Sequence, residues 1–455
     1  MKGMKYSVFS FAIVILFVAC NPTSRTSLRD NIPHVSSEDK ALLDRVQQET
    51  FNYFWEAGEP ISGAARERFH ADGNYPHQKK DIVTIGGTGF GIMATIVAAE
   101  RGFVSKKQVI RRFEKLIGWL EAADRYHGVW SHWYNPSGKT YPFSRFDDGG
   151  DIVETAFLAQ ALITARQYFQ NGNKREKQLA LKMDQLWKDI EWDWYTKGEN
   201  VLYWHWSQNH GFKMNFDIRG HNECLIVYVL AASSEQNGVE PAVFHKGYMM
   251  DGKVYTNREY LGIPLVLDHF ETNNMAVGPL FWAHYSHLGL NPLNLKNERA
   301  DFWKANQNMV KIHYLHCLQN PNDYAGYGED CWGFTSSYSI VGYAGHNPQE
   351  DLGVISPTAA LSSFPYTPEE SLRFLQFLYK QTQSQYVGEY GPYDAFSKQS
   401  NWFEPWYLAI DQLPIPVMIE NYRSGLLWDL FMSAPEVQNG LKDLGFDFEE
   451  SKLKK

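Results

Sequence analysis

Arg145–Phe169 reads R-F-D-D-G-G-D-I-V-E-T-A-F-L-A-Q-A-L-I-T-A-R-Q-Y-F. Four carboxylates, Asp147, Asp148, Asp151 and Glu154, fall within eight residues, and no further charge follows until Arg166. A helix that is apolar around its whole circumference must be buried on every side. This one therefore belongs inside a core, with its acidic N-terminal end opening into solvent or into a cavity. Gly149-Gly150 is a poor helix interior, so the helix is expected to begin at Asp151. Asp151 and Glu154 then share a face of its first turn, and Asp147 and Asp148 lie in the loop before it. Asp-x-x-Glu ahead of an apolar run is also a capping-box pattern, and acids favour the positive end of a helix dipole. Capping leaves the other two aspartates without a reason, because like charges repel and two capping groups suffice.

Outward from this helix, apolar and amphipathic helical patterns alternate. Apolar segments occupy Thr88–Arg101, Asn222–Ala232, Asn273–Leu288, Ser356–Ser363 and Pro416–Met432, and amphipathic ones Ser37–Ala57, Ser105–Ala123, Lys174–Ile190, Glu298–Leu318 and Pro368–Gln381. With the helix at Asp151, buried helices start near residues 88, 151, 222, 273, 356 and 416, roughly sixty residues apart. The pattern repeats although the sequence does not. The expected fold is all-α, an (α/α)6 barrel of six inner and six outer helices forming one domain over residues 37–455. A stack of separate helical bundles is the alternative.

The connections are uneven. Those leading into buried helices are long and aromatic: Tyr126–Asp148, Trp192–Arg219, Tyr324–Tyr343 and Glu389–Asp411. The reverse connections, such as Gly102–Phe103 and Gln170–Gly172, are short. Long connections carry function, and in this topology they share the rim where the acids lie. Aromatic rings interleaved with acids and amides suit sugars, which stack on ring faces while carboxylates bind hydroxyls. Trp130, Trp133, Trp204, Trp206, Trp332, Trp402 and Trp406, with Arg219 and His221, are the candidate substrate contacts, although any single tryptophan also fits a packing role.

Cleaving a glycosidic bond takes one carboxylic acid to protonate the leaving oxygen and a second carboxylate to activate water or attack carbon. The rim acids are Asp147, Asp148, Asp151, Glu154, Glu223, Glu329, Asp330, Glu404 and Asp411. Glu223 stands out because R-G-H-N-E-C-L-I-V-Y-V-L sets a single acid at the mouth of a wholly apolar helix whose cap Asn222 already supplies. Burial there raises a carboxyl pKa toward general-acid use. H-E-x-x-H, Walker and G-x-S-x-G motifs are absent, and no cofactor or metal is expected. The run I-G-G-T-G-F-G at Ile85–Gly91 lacks a βαβ context and reads as close backbone packing.

Lys2 and Lys5 precede the apolar run Val8–Val18, which ends F-V-A-C at Cys20. This resembles a lipoprotein signal: residues 1–19 are removed, Cys20 is lipidated, and residues 20–36 form a flexible tether. The membrane is then met only through that anchor, and the expected location is the periplasm-facing side of an outer membrane. The composition is globular, at 44% hydrophobic and 21% charged, with 15 Trp, 26 Tyr and 28 Phe. A formal charge of −9 argues against nucleic acid. Cys224, Cys317 and Cys331 form no C-x-x-C pair; isolated buried thiols are expected, with Cys317–Cys331 a conceivable disulfide.

G-T-G-F-G-I-M-A, D-D-G-G-D-I-V-E-T-A-F-L, G-H-N-E, W-G-F-T-S-S and A-I-D-Q-L-P occur in that order. Together they resemble the bacterial glucoamylase-like proteins of glycoside hydrolase family 144, from about residue 38 to 435. The resemblance implies an (α/α)6 barrel and metal-free hydrolysis of β-1,2-glucan or its oligosaccharides with inversion. It implies cleft positions at Asp147, Asp151, Glu154 and Glu223, with Asp411 in the matching A-I-D-Q segment. The expected protein is a monomeric inverting glycosidase with Glu223 as general acid. Asp151, Glu154 and Asp147 orient substrate or activate water, and Asp411 is a further candidate. An α/α-barrel polysaccharide lyase and a sugar-capturing lipoprotein are the other readings, and endo or exo action is left open.

Overall fold

Segments apolar on all sides line the centre of the molecule, and segments apolar on one side surround them. The computed structural model describes residues 35–75, 79–269, 276–449 and 451. The expected leader 1–19, Cys20, most of the tether and the start of the helix expected at Asn273 lie outside the described residues. In chain order, outer and inner helices alternate as α1 (Ser37–Trp55) and α2 (Ile85–Glu100), α3 (Lys106–Ala122) and α4 (Ile152–Phe169), α5 (Lys174–Lys188) and α6 (Leu225–Ser233). The second half continues with α7 (Pro241–Lys246) and α8 (Phe281–His284), α9 (Phe302–Gln319) and α10 (Pro357–Leu361), α11 (Pro368–Gln376), the single turn α12 (Ala409–Gln412) and α13 (Pro414–Ser424). Two more helices, α14 (Leu426–Met432) and α15 (Pro435–Asp443), follow α13.

The inner ring closes. α2 packs on α4, α4 on α6, α6 on the turn after α8, α10 on α13, and α13 back on α2. Between α8 and α10 the link is His284 Nε2 to Ser363 Oγ at 3.0 Å. At the closure, Arg101 Nε lies 2.7 Å from Glu420 Oε2, and Gln47 Nε2 donates to the Pro416 carbonyl at 3.0 Å. The result is the (α/α)6 barrel expected from the alternation. In α2 the glycines are where two helices meet: a Cβ at Gly89 would lie 2.7 Å from the Phe157 carbonyl, and one at Gly91 2.3 Å from the Phe54 ring. The glycine run is thus close packing, as its lack of βαβ context implies.

Several boundaries differ from the expectation for physical reasons. α4 begins one residue late, because Asp151 is its N-cap and accepts from Val153 N (2.9 Å) and Glu154 N (3.0 Å). α8 is only four residues long and starts after Pro279, continuing as a 3-10 turn over Tyr285–His287. The expected final helix is broken at Gly425, whose φ of +73° ends α13 and starts α14. α7 and α15 have no counterpart in the sequence reading, and α15 packs against α6. Cys224, Cys317 and Cys331 are all buried and free, so Cys317 and Cys331 do not pair.

The long connections carry short β-ladders that run into the inner helices. Val83–Thr84 pairs with Trp133–Tyr134, which pairs with Thr140–Tyr141. Gly150–Asp151 pairs with His205–Trp206, Ser337–Ser339 with Gly342–Ala344, and Arg68–His70 with Trp406–Leu408. Each ladder fixes the backbone at the N-terminal end of an inner helix, where the site lies.

Candidate functional site

A cavity of about 440 Å³ opens at that end of the barrel, and each inner helix, or the approach to it, contributes to its wall. Glu67, Arg68 and Thr84 precede α2; His132, Trp133 and Phe143 precede α4, which adds Glu154 and Phe157. Trp204 and Glu223 precede α6, Phe281 and Tyr285 come from α8 and its following turn, Ser336 and Tyr343 precede α10, and Leu408 and Ile410 precede α13.

Glu154 does not complete a capping box with Asp151. Its side chain crosses to the start of α2, where Gly86 N–H donates to Oε2 at 2.7 Å and the Thr84 hydroxyl donates at 3.3 Å. Burial raises its carboxyl above the ordinary range, opposed by His132, whose Nε2 lies 3.9 Å from Oε1. Glu223 sits two residues before α6, 8% exposed, and burial pushes its carboxyl up to about 7.

Asp147 and Asp151 are buried behind this wall. His132 Nδ1 lies 3.1 Å from Asp151 Oδ2 and 3.6 Å from Asp147 Oδ2; His205 Nε2 lies 3.4 and 3.1 Å from the same two oxygens. Burial opposes charge on His205, but Asp147 and Asp151 outweigh it and raise the imidazole to about 9. His132 is likewise raised, against burial, by Glu154, Asp147 and Asp151. In return the two imidazoles hold Asp151 below the usual carboxylate range despite its burial. The donor atoms of His132, Asp147 and Asp151 lie within 4.8 Å of one another, close enough to suit a metal ion. The raised imidazoles match the charge of the two aspartates, so the cluster reads as an ion-pair lattice, with His132 Nδ1 and Asp151 Oδ2 buried without a hydrogen bond of good geometry.

Asp411 lies behind Tyr285, whose hydroxyl donates to its Oδ1 at 3.2 Å. Burial and the neighbouring Asp394 push the Asp411 carboxyl well above its ordinary value. Asp394, which takes the Tyr338 N–H at 2.7 Å, is raised by burial too. The sequence reading did not single out Asp394, although G-P-Y-D-A-F lies within the long Glu389–Asp411 connection.

Of the expected acids, Glu154 and Glu223 line the cavity, while Asp147, Asp148, Asp151, Asp411, Glu329, Asp330 and Glu404 do not. Of the expected sugar contacts, Trp133 and Trp204 line it. The others do not line it. Trp130 and Trp332 are fully buried, with their indole N–H groups donated to the Leu120 and Glu370 carbonyls, so neither presents a ring to a ligand. His221 is buried against His269 and Tyr248. Arg219 pairs with Asp217, and Trp206 packs edge-on to Trp194. Trp402 belongs to a hairpin with Ser397, and Trp406 stacks on His70 at 4.1 Å. The exposed rings at the cavity are instead Phe143 and Tyr343, 49% and 59% exposed. Both sit in connections noted for aromatic content, but ring exposure leaves no mark in composition.

The family model named Glycoamylase, described as "Putative glucoamylase", matches residues 215–435. An endo-β-1,2-glucanase from Chitinophaga pinensis, solved with sophorotriose and glucose, is 52% identical, with a TM-score of 0.89 over 91% of this chain and 99% of that one. An exo β-1,2-glucooligosaccharide sophorohydrolase (non-reducing end) from Parabacteroides distasonis is 42% identical over 429 residues, 89% of this chain. The chain spans 58% of the length of that relative. An endo-β-1,2-glucanase from Talaromyces funiculosus, solved with sophorose, shares the fold at 12% identity, with a TM-score of 0.63 over 90% of each chain.

Proposed function

Because this chain belongs to glycoside hydrolase family 144, the family of bacterial glucoamylase-like proteins, we propose that it hydrolyses β-1,2-glucan or β-1,2-glucooligosaccharides. The observation that carries this reading is that Glu154 and Glu223, from the ends of two inner helices, line one cavity. Inverting hydrolysis takes a carboxylic acid for the leaving oxygen and a carboxylate for the attacking water. Burial raises both carboxyls to about 7, so the roles follow from their neighbours: Glu223, facing the negative charges of Asp151 and Glu154, suits the acid. Glu154, given two donors and a nearby imidazole, suits the carboxylate. Trp133 and Trp204 give the cavity aromatic walls against which glucose units can lie. Asp147 and Asp151 act on His132 and His205 instead of on the sugar.

A second reading of the base is supported by Tyr285, which lines the cavity while donating to Asp411. Asp411, paired with Asp394, then accepts the water's proton through that hydroxyl. Asp411→Asn separates the two: a loss as large as that of Glu154→Gln favours the relay, and a small loss favours Glu154 alone.

The Lys2 and Lys5 flank, the Val8–Val18 run and Cys20 support export as a lipoprotein, cleaved before Cys20 and anchored through residues 20–36. Labelling with a fatty acid that Cys20→Ser abolishes checks the anchor.

The activity is tested by incubating the protein with linear β-1,2-glucan and following product length by chromatography and anomer by proton NMR. Release of α-anomeric oligosaccharides is expected. Binding without new reducing ends overturns hydrolysis in favour of sugar capture, and an unsaturated product absorbing in the ultraviolet overturns it in favour of a lyase.

A further inference from the structure

Glu154 and Glu223 are nearly equivalent by position, each at the N-terminal end of an inner helix, 5% and 8% exposed, in one cavity. The chemistry needs them unequal, one protonated and one not. The inequality lies in their neighbours. Glu154 receives the Gly86 N–H and the Thr84 hydroxyl and has His132 Nε2 at 3.9 Å. Glu223 has its own backbone N–H, and the charges around it are those of Asp151 and Glu154, both negative; burial raises the two carboxyls alike, to about 7.

We propose that His132 is a positioning residue that keeps Glu154 a carboxylate and so leaves the acid's part to Glu223; this rests on the glycosidase reading of the same cavity. The ring is fixed in place: it stacks on Phe143 at 4.2 Å with planes 12° apart and meets Trp133 edge-on. So held, it turns Nδ1 to Asp151 and Asp147 and Nε2 to Glu154. The charged groups facing it are Asp147, Asp151 and Glu154, with His205 sharing the two aspartates and Glu223, Glu67 and Arg68 also on the cavity. Two aspartates against two imidazolium rings leave the cluster neutral. Glu154 therefore feels the nearer end of a cation instead of the bare charge of Asp151. Remove that cation, and Asp151 drives Glu154 further toward the protonated form and above Glu223, leaving no base.

The test is the pH dependence of kcat/KM on a β-1,2-glucooligosaccharide for the wild type, His132→Gln and His132→Lys. The acid limb reports the carboxylate and the alkaline limb the acid. With the cation gone, the acid limb of His132→Gln should move up by about 1 to 3 pH units while the alkaline limb stays. His132→Lys should return it toward the wild-type position. A uniform fall in kcat with unmoved limbs overturns the proposal and reduces His132 to packing. Carboxyl ¹³C NMR titration of the wild type, with Glu154→Gln and Glu223→Gln for assignment, reads the same order without turnover. Glu154 should ionise below Glu223, and the reverse order overturns the proposal even where the variants fail to fold. No hydrolysis together with Glu154 ionising first would instead sink the glycosidase reading and leave the role of His132 standing.

Discussion

The backbone N–H of Gly86 donates to Glu154 Oε2 at 2.7 Å, and a Cβ at residue 86 would lie 2.6 Å from that same oxygen. The first turn of α2 thus both holds the carboxylate and requires a glycine to let it approach. Gly86→Ala should displace Glu154 and lower kcat/KM about 10²-fold, since misplacement of about 1 Å has that scale of effect. Alanine gains about 1 kcal/mol of helix propensity over glycine, which offsets part of the clash, so activity should fall further than the melting temperature. Kinetics alongside a thermal melt check this, and a fully active variant would contradict the arrangement.

Burial pushes Glu223 up to about 7, so it holds its proton below that pH and loses it above. As the acid, it should make kcat fall as pH rises through about 7. Glu223→Gln keeps the shape but carries no transferable proton. It should cost about 10² to 10⁴ in kcat, the usual contribution of a general acid, with oligosaccharide binding by calorimetry changed only a few-fold. Activity near the wild-type level would reject the assignment.

The barrel was legible because period and polarity carry it: α4 has charge only at its ends, and burial of every residue from Ile152 to Phe169 is what that pattern demands. α8 was misjudged because Pro279 and the aromatic residues after it delay the helix, although their apolar spacing continues through the turn. In the site, Glu154 and Glu223 were legible as acids at the mouths of apolar helices. His132 was visible only as one more ring in an aromatic loop. Its role depends on Asp147 and Asp151 lying beneath it, a tertiary relationship that spacing does not encode. Trp130 and Trp332 were misassigned for the converse reason, since a loop tryptophan turned inward has the same composition as one turned outward.

Trp133 and Trp332 separate those two cases. Trp133 lines the cavity, and Trp133→Ala should raise KM or the binding constant by about tenfold, the scale of one lost aromatic contact. Trp332 is buried with its indole on the Glu370 carbonyl. Trp332→Phe should leave KM unchanged and cost about 1 to 3 kcal/mol of stability, from the lost hydrogen bond and the space left behind. A shift in KM for Trp332→Phe would restore it as a sugar contact.

Stability above neutral pH should be governed by the His132 and His205 pair. Asp147 and Asp151 raise His205 to about 9 against its burial, and His132 is raised in the same direction. A histidine whose folded pKa exceeds its unfolded value stabilises fully below about 6.5, and that contribution is lost as pH rises through the folded value. Below pH 7 other buried groups oppose one another. Neutral His269 and His287, lowered to about 4 by burial, favour higher pH, while Glu223, raised by burial, favours lower pH. Above pH 7 His269 and His287 have finished titrating, while Glu154 and Glu223, raised to about 7, go on losing protons to about pH 8 and add to the fall caused by the raised imidazoles. The fall between pH 7 and pH 9 should be about 2 kcal/mol from His205 alone. Urea midpoints across that range should decline for the wild type and flatten for His205→Gln. A level wild-type profile would mean that the two imidazoles are neutral in the folded protein and that Asp151 lies buried without a counter-charge.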